Sequence, residues 1–221
     1  MRNKFDMQLE ILNEQLTRMG ELCELAINRV TKALVEGSIE QAKKIMSADE
    51  SIDQMEKDIE RLCLKLLLQQ QPVARDLRQI SAALKMITDM ERIGDQTADI
   101  AEIIISAGMS EAGDVKKIEE MSAGVAKMVN DSVSAYVDRD LELARKVMDA
   151  DDRIDALFDE IRTKVINLSA EGNRGEQGVD LIMIAKYLER ISDHAVNVAE
   201  WVIFSLTGQH VNEELIEKER F

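Results

Sequence analysis

Residues 33–59 can be laid on residues 135–161 without a gap. Glu40, Ala42, Lys44, Met46, Ala48, Asp49, Ile52 and Asp53 recur as Glu142, Ala144, Lys146, Met148, Ala150, Asp151, Ile154 and Asp155. Further along, Glu91-Arg92-Ile93-Gly94-Asp95 recurs as Glu189-Arg190-Ile191-Ser192-Asp193, after a small length difference in the intervening loop. A chain repeated in this way is expected to fold as two related units, so each position in one half has a counterpart in the other.

The period inside each unit is helical. Phe5, Leu9, Leu12, Leu16, Met19, Cys23, Ala26, Val30 and Ala33 alternate steps of four and three, the stripe of one long helix. Gly37 ends it, and Ser38-Ile39-Glu40-Gln41 reads as a capping box opening a second helix to about Gln70. Pro72 suits the first turn of a third helix, which runs to about Ala107. Gly108 to Gly113 is the main break. Asp114 is a candidate cap for a fourth helix to about Tyr136, and Asp138-Arg139-Asp140 marks the turn into a fifth, to about Ala170. Residues 171–178 read as a polar loop before a sixth helix to about Leu206, stopped by Gly208. One Pro and few aromatics among abundant helix formers agree. The expected fold is all-α: two tandem three-helix bundles of six long helices, at 1–108 and 113–207, with a charged tail at 208–221. Helices of about 30 residues reach about 45 Å, which suits elongated bundles lying side by side.

Glu91 and Asp95 stand four residues apart, as do Glu189 and Asp193, Asp49 and Asp53, and Asp151 and Asp155. On a helix that spacing places like charges on one face, at a cost of roughly 0.2–0.5 kcal/mol per pair. Glu91 and Glu189 moreover fall on stripes of small and apolar residues, where unpaired carboxylates are costly. If the helices run antiparallel, each half offers four carboxylates to one site. A bound cation is one remedy for the repulsion, and Arg92 and Arg190 are another. Oxygen ligands favour calcium, magnesium, manganese or iron. The Glu-x-x-His pattern of ferritin-type sites is missing, since neither His194 nor His210 follows a Glu by three residues. The plain alternative is a solvated acidic helix face, weakened by the presence of four matching copies.

The net charge of −15 argues against nucleic acid as partner, because no basic face is evident. The N-terminus lacks the apolar core of a signal peptide, and no apolar run reaches membrane-spanning length. Cys23 and Cys63 lack zinc-type spacing and read as small core residues in a reducing compartment. His194 matches Gln96, which places it beside a site rather than in one. Trp201 reads as a packing or dimer anchor. Arg75-Asp76-Leu77-Arg78 suggests an anion site near a helix start, although the second half lacks the basic pair.

These motifs together resemble the PhoU family. Met90 to Asp95, Glu189 to Asn197, Asp49 to Asp53, Asp151 to Asp155 and Gln70 to Arg78 carry the resemblance, which spans about Phe5 to Leu206. It implies two fused three-helix bundles in a cytoplasmic and commonly dimeric protein. It implies a non-enzymatic, negative regulator of phosphate transport and homeostasis, acting through the phosphate ABC transporter and its sensor histidine kinase. Association with the membrane would then be through those partners only. It also implies metal clusters, of iron or another cation with zinc among the options, on Asp49, Asp53, Glu91 and Asp95 and on Asp151, Asp155, Glu189 and Asp193. A metal-dependent helix-bundle enzyme, or a purely structural helical adaptor, are the competing readings of the same acidic faces.

Overall fold

The computed structural model describes residues 2–70, 73–108, 115–170 and 175–211, with the side chains of 2–4, 47–49, 69–70, 168–170 and 175–176 left aside. Their regular structure is six helices: α1 Arg2–Glu36, α2 Ile39–Gln70, α3 Ala74–Ser106, α4 Lys116–Asp138, α5 Leu141–Ala170 and α6 Gly175–Thr207. The expected all-α fold of two three-helix repeats is the one observed. Pro72, Asp114 and residues 212–221 lie outside the described residues.

The two repeats turn the chain by the same device. After α1, Gly37 takes a left-handed φ of 61°, and the Gly37 and Ser38 amides donate to the carbonyls of Leu34 and Ala33. After α4, Arg139 takes φ 57°, and the Arg139 and Asp140 amides donate to Tyr136 and Ala135. This pairing satisfies carbonyls that the helix end leaves open. The next helix is then capped by a side chain: the Gln41 amide donates to Ser38 Oγ at 3.3 Å and the Leu143 amide to Asp140 Oδ1 at 2.9 Å. Only half of the expected capping box forms, because the Gln41 side chain donates to Glu36 Oε2 at 2.7 Å instead. Three helix starts differ from expectation: α3 opens at Ala74 with Val73 as its N-cap, α4 opens at Lys116 with Val115 as its N-cap, and α6 opens early. Gly175 to Gly178 belong to the first turn of α6 rather than to a loop, and Gly178 is buried there.

The apolar stripe of α1 points inward as its period requires: Phe5, Leu12, Leu16, Met19, Cys23, Val30 and Ala33 are buried. Burial of side chains of this size contributes roughly 1.5–3 kcal/mol each for the larger ones. The core is continuous through both repeats. Each bundle packs α1–α2–α3 or α4–α5–α6 internally, and α3 lies against α6 as extensively as against α2.

Two antiparallel crossings join the repeats, and both obey the internal duplication. Between α1 and α4, Gly20 lies against Val133, and the Thr31 hydroxyl meets the Ser122 hydroxyl. Ser122 occupies the position equivalent to Gly20, and Val133 the position equivalent to Thr31, so one contact is the symmetry mate of the other. Between α3 and α6, Asp89 meets Asn197, while Asp99 faces Tyr187. These too exchange under the repeat. Midway between those contacts come Gly94 and Ser192, both buried, where small side chains let the helices approach. The bundles are therefore related by an approximate two-fold axis through the two crossings.

Candidate functional site

Helices α2 and α3 run antiparallel as neighbours, and so do α5 and α6. This brings the acid pairs of each repeat onto facing surfaces. In the first repeat, Glu91 is half-buried. Burial first, then Asp95, Glu56 and Asp53, hold its carboxyl above the usual range, against the lowering effect of Arg92. The side chain of Asp49 lies outside the described residues. Arg92 is the local counter-charge. It donates to Asp95 Oδ2 at 2.9 Å and stands 3.5 Å from Glu91.

In the second repeat, Asp151, Asp155, Glu189 and Asp193 come together. Burial pushes the Asp151 carboxyl up, with Asp155, Glu189 and Asp152 adding to it against a lowering contribution from Ser192. Asp193 is raised by burial, then by Glu189 and Asp151. Asp151 Oδ1 is sealed from solvent without a hydrogen-bond partner. The nearby Ser192 hydroxyl donates instead to the Glu189 carbonyl at 2.7 Å.

The counter-charges differ between repeats. Arg190, the counterpart of Arg92, does not pair with Glu189 or Asp193. It lies over the Tyr187 ring, 5.8 Å from its centroid, on the side of Asp99. Lys186 takes its place, pairing with Glu189 while resting 5.5 Å above the Phe158 ring. The expectation that Arg190 neutralises the second acidic face is thus corrected. Thr88 stands where the first repeat would need Lys186, and Glu56 stands where it would need Phe158.

The donor set suits a hard cation in two respects. The ligands are all carboxylates, and one buried carboxylate oxygen has no partner. Among the described residues, no three Asp, Glu, His or Cys side chains are gathered closely enough to hold an ion as they stand. Loading a metal would draw in acids that already face one another. Neither histidine belongs to this set: His194 Nδ1 lies 2.9 Å from Asp89 at the α3–α6 crossing, and His210 stacks on Phe204 beside Trp201. Trp201 is half-buried, edge-on to those rings, with Lys85 over its face.

Glu56, Asp89, Lys186 and Tyr187 escape the sequence reading. Two of them leave a usable signal: Glu56 lies three residues beyond Asp53 and Lys186 three residues before Glu189, each on the same helix face as that acid.

Comparison with known proteins adds to this geometry. The PhoU domain matches residues 16–104 and again residues 118–202, once on each bundle. The chain is 38% identical to a phosphate-specific transport system accessory protein PhoU homolog of Clostridium acetobutylicum, covering 96% of this chain and 98% of that one. A homolog of the same description from Aquifex aeolicus is 36% identical, with 96% of each chain covered. Among solved structures, PhoU from Pseudomonas aeruginosa superposes with a TM-score of 0.86 at 30% identity, covering 93% of this chain and all of that one. The phosphate transport system regulatory protein PhoU from Streptococcus pneumoniae gives 0.88 at 25%, covering 94% and 99%.

Proposed function

Because the chain belongs to the PhoU family, we propose that it is a non-enzymatic negative regulator of phosphate uptake and phosphate-starvation signalling. In this reading it works in the cytoplasm as a homodimer, by contact with the phosphate ABC transporter and its sensor histidine kinase. The observation that carries the reading is the double domain match over two bundles that both present paired acids, in a chain whose relatives are named accessory and regulatory proteins. Among the described residues no helix is long and apolar enough to cross a membrane, so contact with a membrane transporter would be through that partner.

The acidic faces are the proposed metal sites. Asp151, Asp155, Glu189 and Asp193 would hold an ion in the second repeat. Asp53, Glu91 and Asp95, with Asp49, would do so in the first. The ion would supply positive charge that offsets the repulsion of the carboxylates. Around it, Lys186 and Arg92 limit the residual charge, and the apolar stripes behind Glu91 and Glu189 keep those carboxylates from turning away into solvent. Such a clasp would tie α2 to α3 and α5 to α6, setting the shape that a partner meets.

Reconstitution tests the reading. The purified chain, added to vesicles carrying the transporter, is expected to bind it and to slow phosphate uptake. It is also expected to co-purify with the kinase and to sediment as a dimer. Absence of binding to either partner would refute the regulatory role. Elemental analysis of the wild type beside Glu91→Gln/Glu189→Gln addresses the metal separately. Phosphatase or oxidase turnover above that of the double variant would instead mark an enzyme.

A further inference from the structure

One end of the molecule collects cations that the acidic faces do not use. Arg75 and Arg78 share one face of the first turn of α3. The last turn of α4 is fixed beside them, because the Tyr136 hydroxyl donates to the Gln79 carbonyl at 2.9 Å. This places Arg139, the residue that ends α4, close enough to Arg75 for the two charges to repel. Arg78 lies along Gly208, which ends α6.

Three features set this cluster apart from an ordinary charged surface. The chain has 43 acidic residues against 28 basic ones, so a cation has an excess of partners to choose from. None of these three arginines nevertheless forms an ion pair with a described residue. Of the acids adjoining these arginines in sequence, Asp140 spends its carboxylate on the Leu143 amide, and neither Asp76 nor Asp138 forms an ion pair with Arg75, Arg78 or Arg139. Second, Arg78 Nε is sealed from solvent without a hydrogen-bond partner where the side chain lies along Gly208, so this guanidinium is held in place with part of its donor capacity unmet. Third, Arg139 is the one non-glycine residue with positive φ among those described, where the first repeat has Gly37. The cluster belongs to one end only, since the duplicated position carries no charge.

We propose that Arg75, Arg78 and Arg139 form a binding site for a phosphate-like tetrahedral oxyanion. Guanidinium forks match the oxygens of such an anion two at a time. The α3 N-terminus adds open backbone amides, since its N-cap residue Val73 gives no side-chain cap. A doubly charged anion would offset the Arg75–Arg139 repulsion and take the outer nitrogens of Arg78, whose Nε stays packed beside Gly208. Free phosphate and the headgroup of an anionic lipid share this chemistry. The inference stands on the arginine geometry and is separate from the metal sites.

The test is a calorimetric titration of the full chain, stripped with EDTA, with inorganic phosphate at constant ionic strength and with chloride as control. Stripping removes phosphate held through metal, so failure of the metal reading leaves this test intact. The wild type is expected to bind. Arg75→Gln and Arg78→Gln should each weaken binding roughly tenfold, the scale of one charge-assisted hydrogen bond. Arg139→Gly is the decisive variant. It relieves a left-handed backbone and so should melt no lower than wild type, while losing the same roughly tenfold affinity. Flotation with phosphatidylcholine vesicles, with and without phosphatidylglycerol, distinguishes the sources. Vesicle binding that depends on the three arginines, without binding of free phosphate, keeps the site and assigns it to headgroups. Binding of neither, or binding unchanged in the folded Arg139→Gly and Arg75→Gln proteins, overturns the proposal.

Discussion

Replacing Asp151 by Asn should stabilise the metal-free protein, although it removes a residue that both repeats retain. Burial and the neighbouring Asp155 and Glu189 raise the Asp151 carboxyl above the ordinary aspartate value in the folded state. The folded protein therefore binds this proton more tightly than the unfolded chain does. The resulting stabilisation is fully present below the ordinary aspartate value and is lost as pH rises through the raised folded value. At neutral pH the ionised group opposes folding. Its in-helix repulsion with Asp155 costs roughly 0.2–0.5 kcal/mol. Leaving buried Oδ1 without a donor adds about 1 kcal/mol, at the low end of the usual range because the site is partly open to solvent screening. Asn removes the charge and brings an amide that can turn toward the facing acids. A net gain of about 1 kcal/mol is expected, or roughly 2–4 °C in melting temperature for a chain of this size.

The assay is thermal unfolding in EDTA from pH 4 to 8, wild type beside Asp151→Asn. The gap should be widest at neutral pH and close on acidification. Saturating metal should then reverse the order, since binding to the folded state stabilises whichever protein keeps the better site. A variant that melts below wild type in EDTA at neutral pH would show that the acids are already compensated, and the case for a bound cation would lose its physical basis.

Two further outcomes follow from packing. Gly124→Ala places its Cβ 2.8 Å from Ile154 Cδ1, the movable end of a side chain, and gains about 0.8–1 kcal/mol of helix propensity, so urea unfolding should show it neutral or more stable. Gly20→Ala meets three carbons of Val133 at 3.1–3.4 Å, and a β-branched side chain yields poorly, so it should lose about 1 kcal/mol net. Burial, helped by Glu60, pushes the Cys63 thiol up to about 12, and Cys23 is buried with Sγ 3.4 Å from the Met90 carbonyl. Both thiols should resist a chromogenic disulfide reagent until urea unfolds the chain, and rapid labelling of the native protein would contradict the core placement.

The helices and the duplication are legible because they rest on local rules: a 3.6-residue period, glycine at a left-handed helix end, and Ser38 or Asp140 three residues before the amide it caps. The acid pairs are legible because both members sit on one helix. What the repeat hides is which neighbour an equivalent side chain takes. Arg92 and Arg190 occupy the same position, yet one faces acids and the other an aromatic ring. The reason lies on other residues. Lys186 replaces Thr88 and Phe158 replaces Glu56, so the second repeat has its own cation and a ring to seat it. Arg190 is then free to turn toward Tyr187 and Asp99. Equivalent sequence positions share a backbone place, while their side chains answer to neighbours that have changed, on the same helix at Lys186 and Tyr187 and on adjacent helices at Phe158 and Asp99.

The α3–α6 crossing shows how far the halves have become complementary. Asp89 Oδ1 accepts from Asn197 Nδ2 at 3.0 Å and lies 2.9 Å from His194 Nδ1, and Asp99 faces Tyr187. Both acids belong to the first half and both sets of donors to the second. Under the approximate two-fold, a pair of first halves would set Asp89 against Asp99, carboxylate to carboxylate, in a half-buried place. A pair of second halves would set Tyr187 against Asn197 with no carboxylate to receive them. The polar pattern thus favours one arrangement, first half on second, over exchange between copies. Asn197→Asp should recreate the like-charge contact and cost about 1–3 kcal/mol, since it leaves charged acceptors unpaired. Adding Asp89→Asn restores one acid, one amide and the nearby His194, and should recover most of that loss. Denaturant unfolding of the two single variants and the double variant gives the coupling directly. Costs that simply add would mean that the two side chains act independently, and the complementarity of the halves would then rest on apolar packing alone.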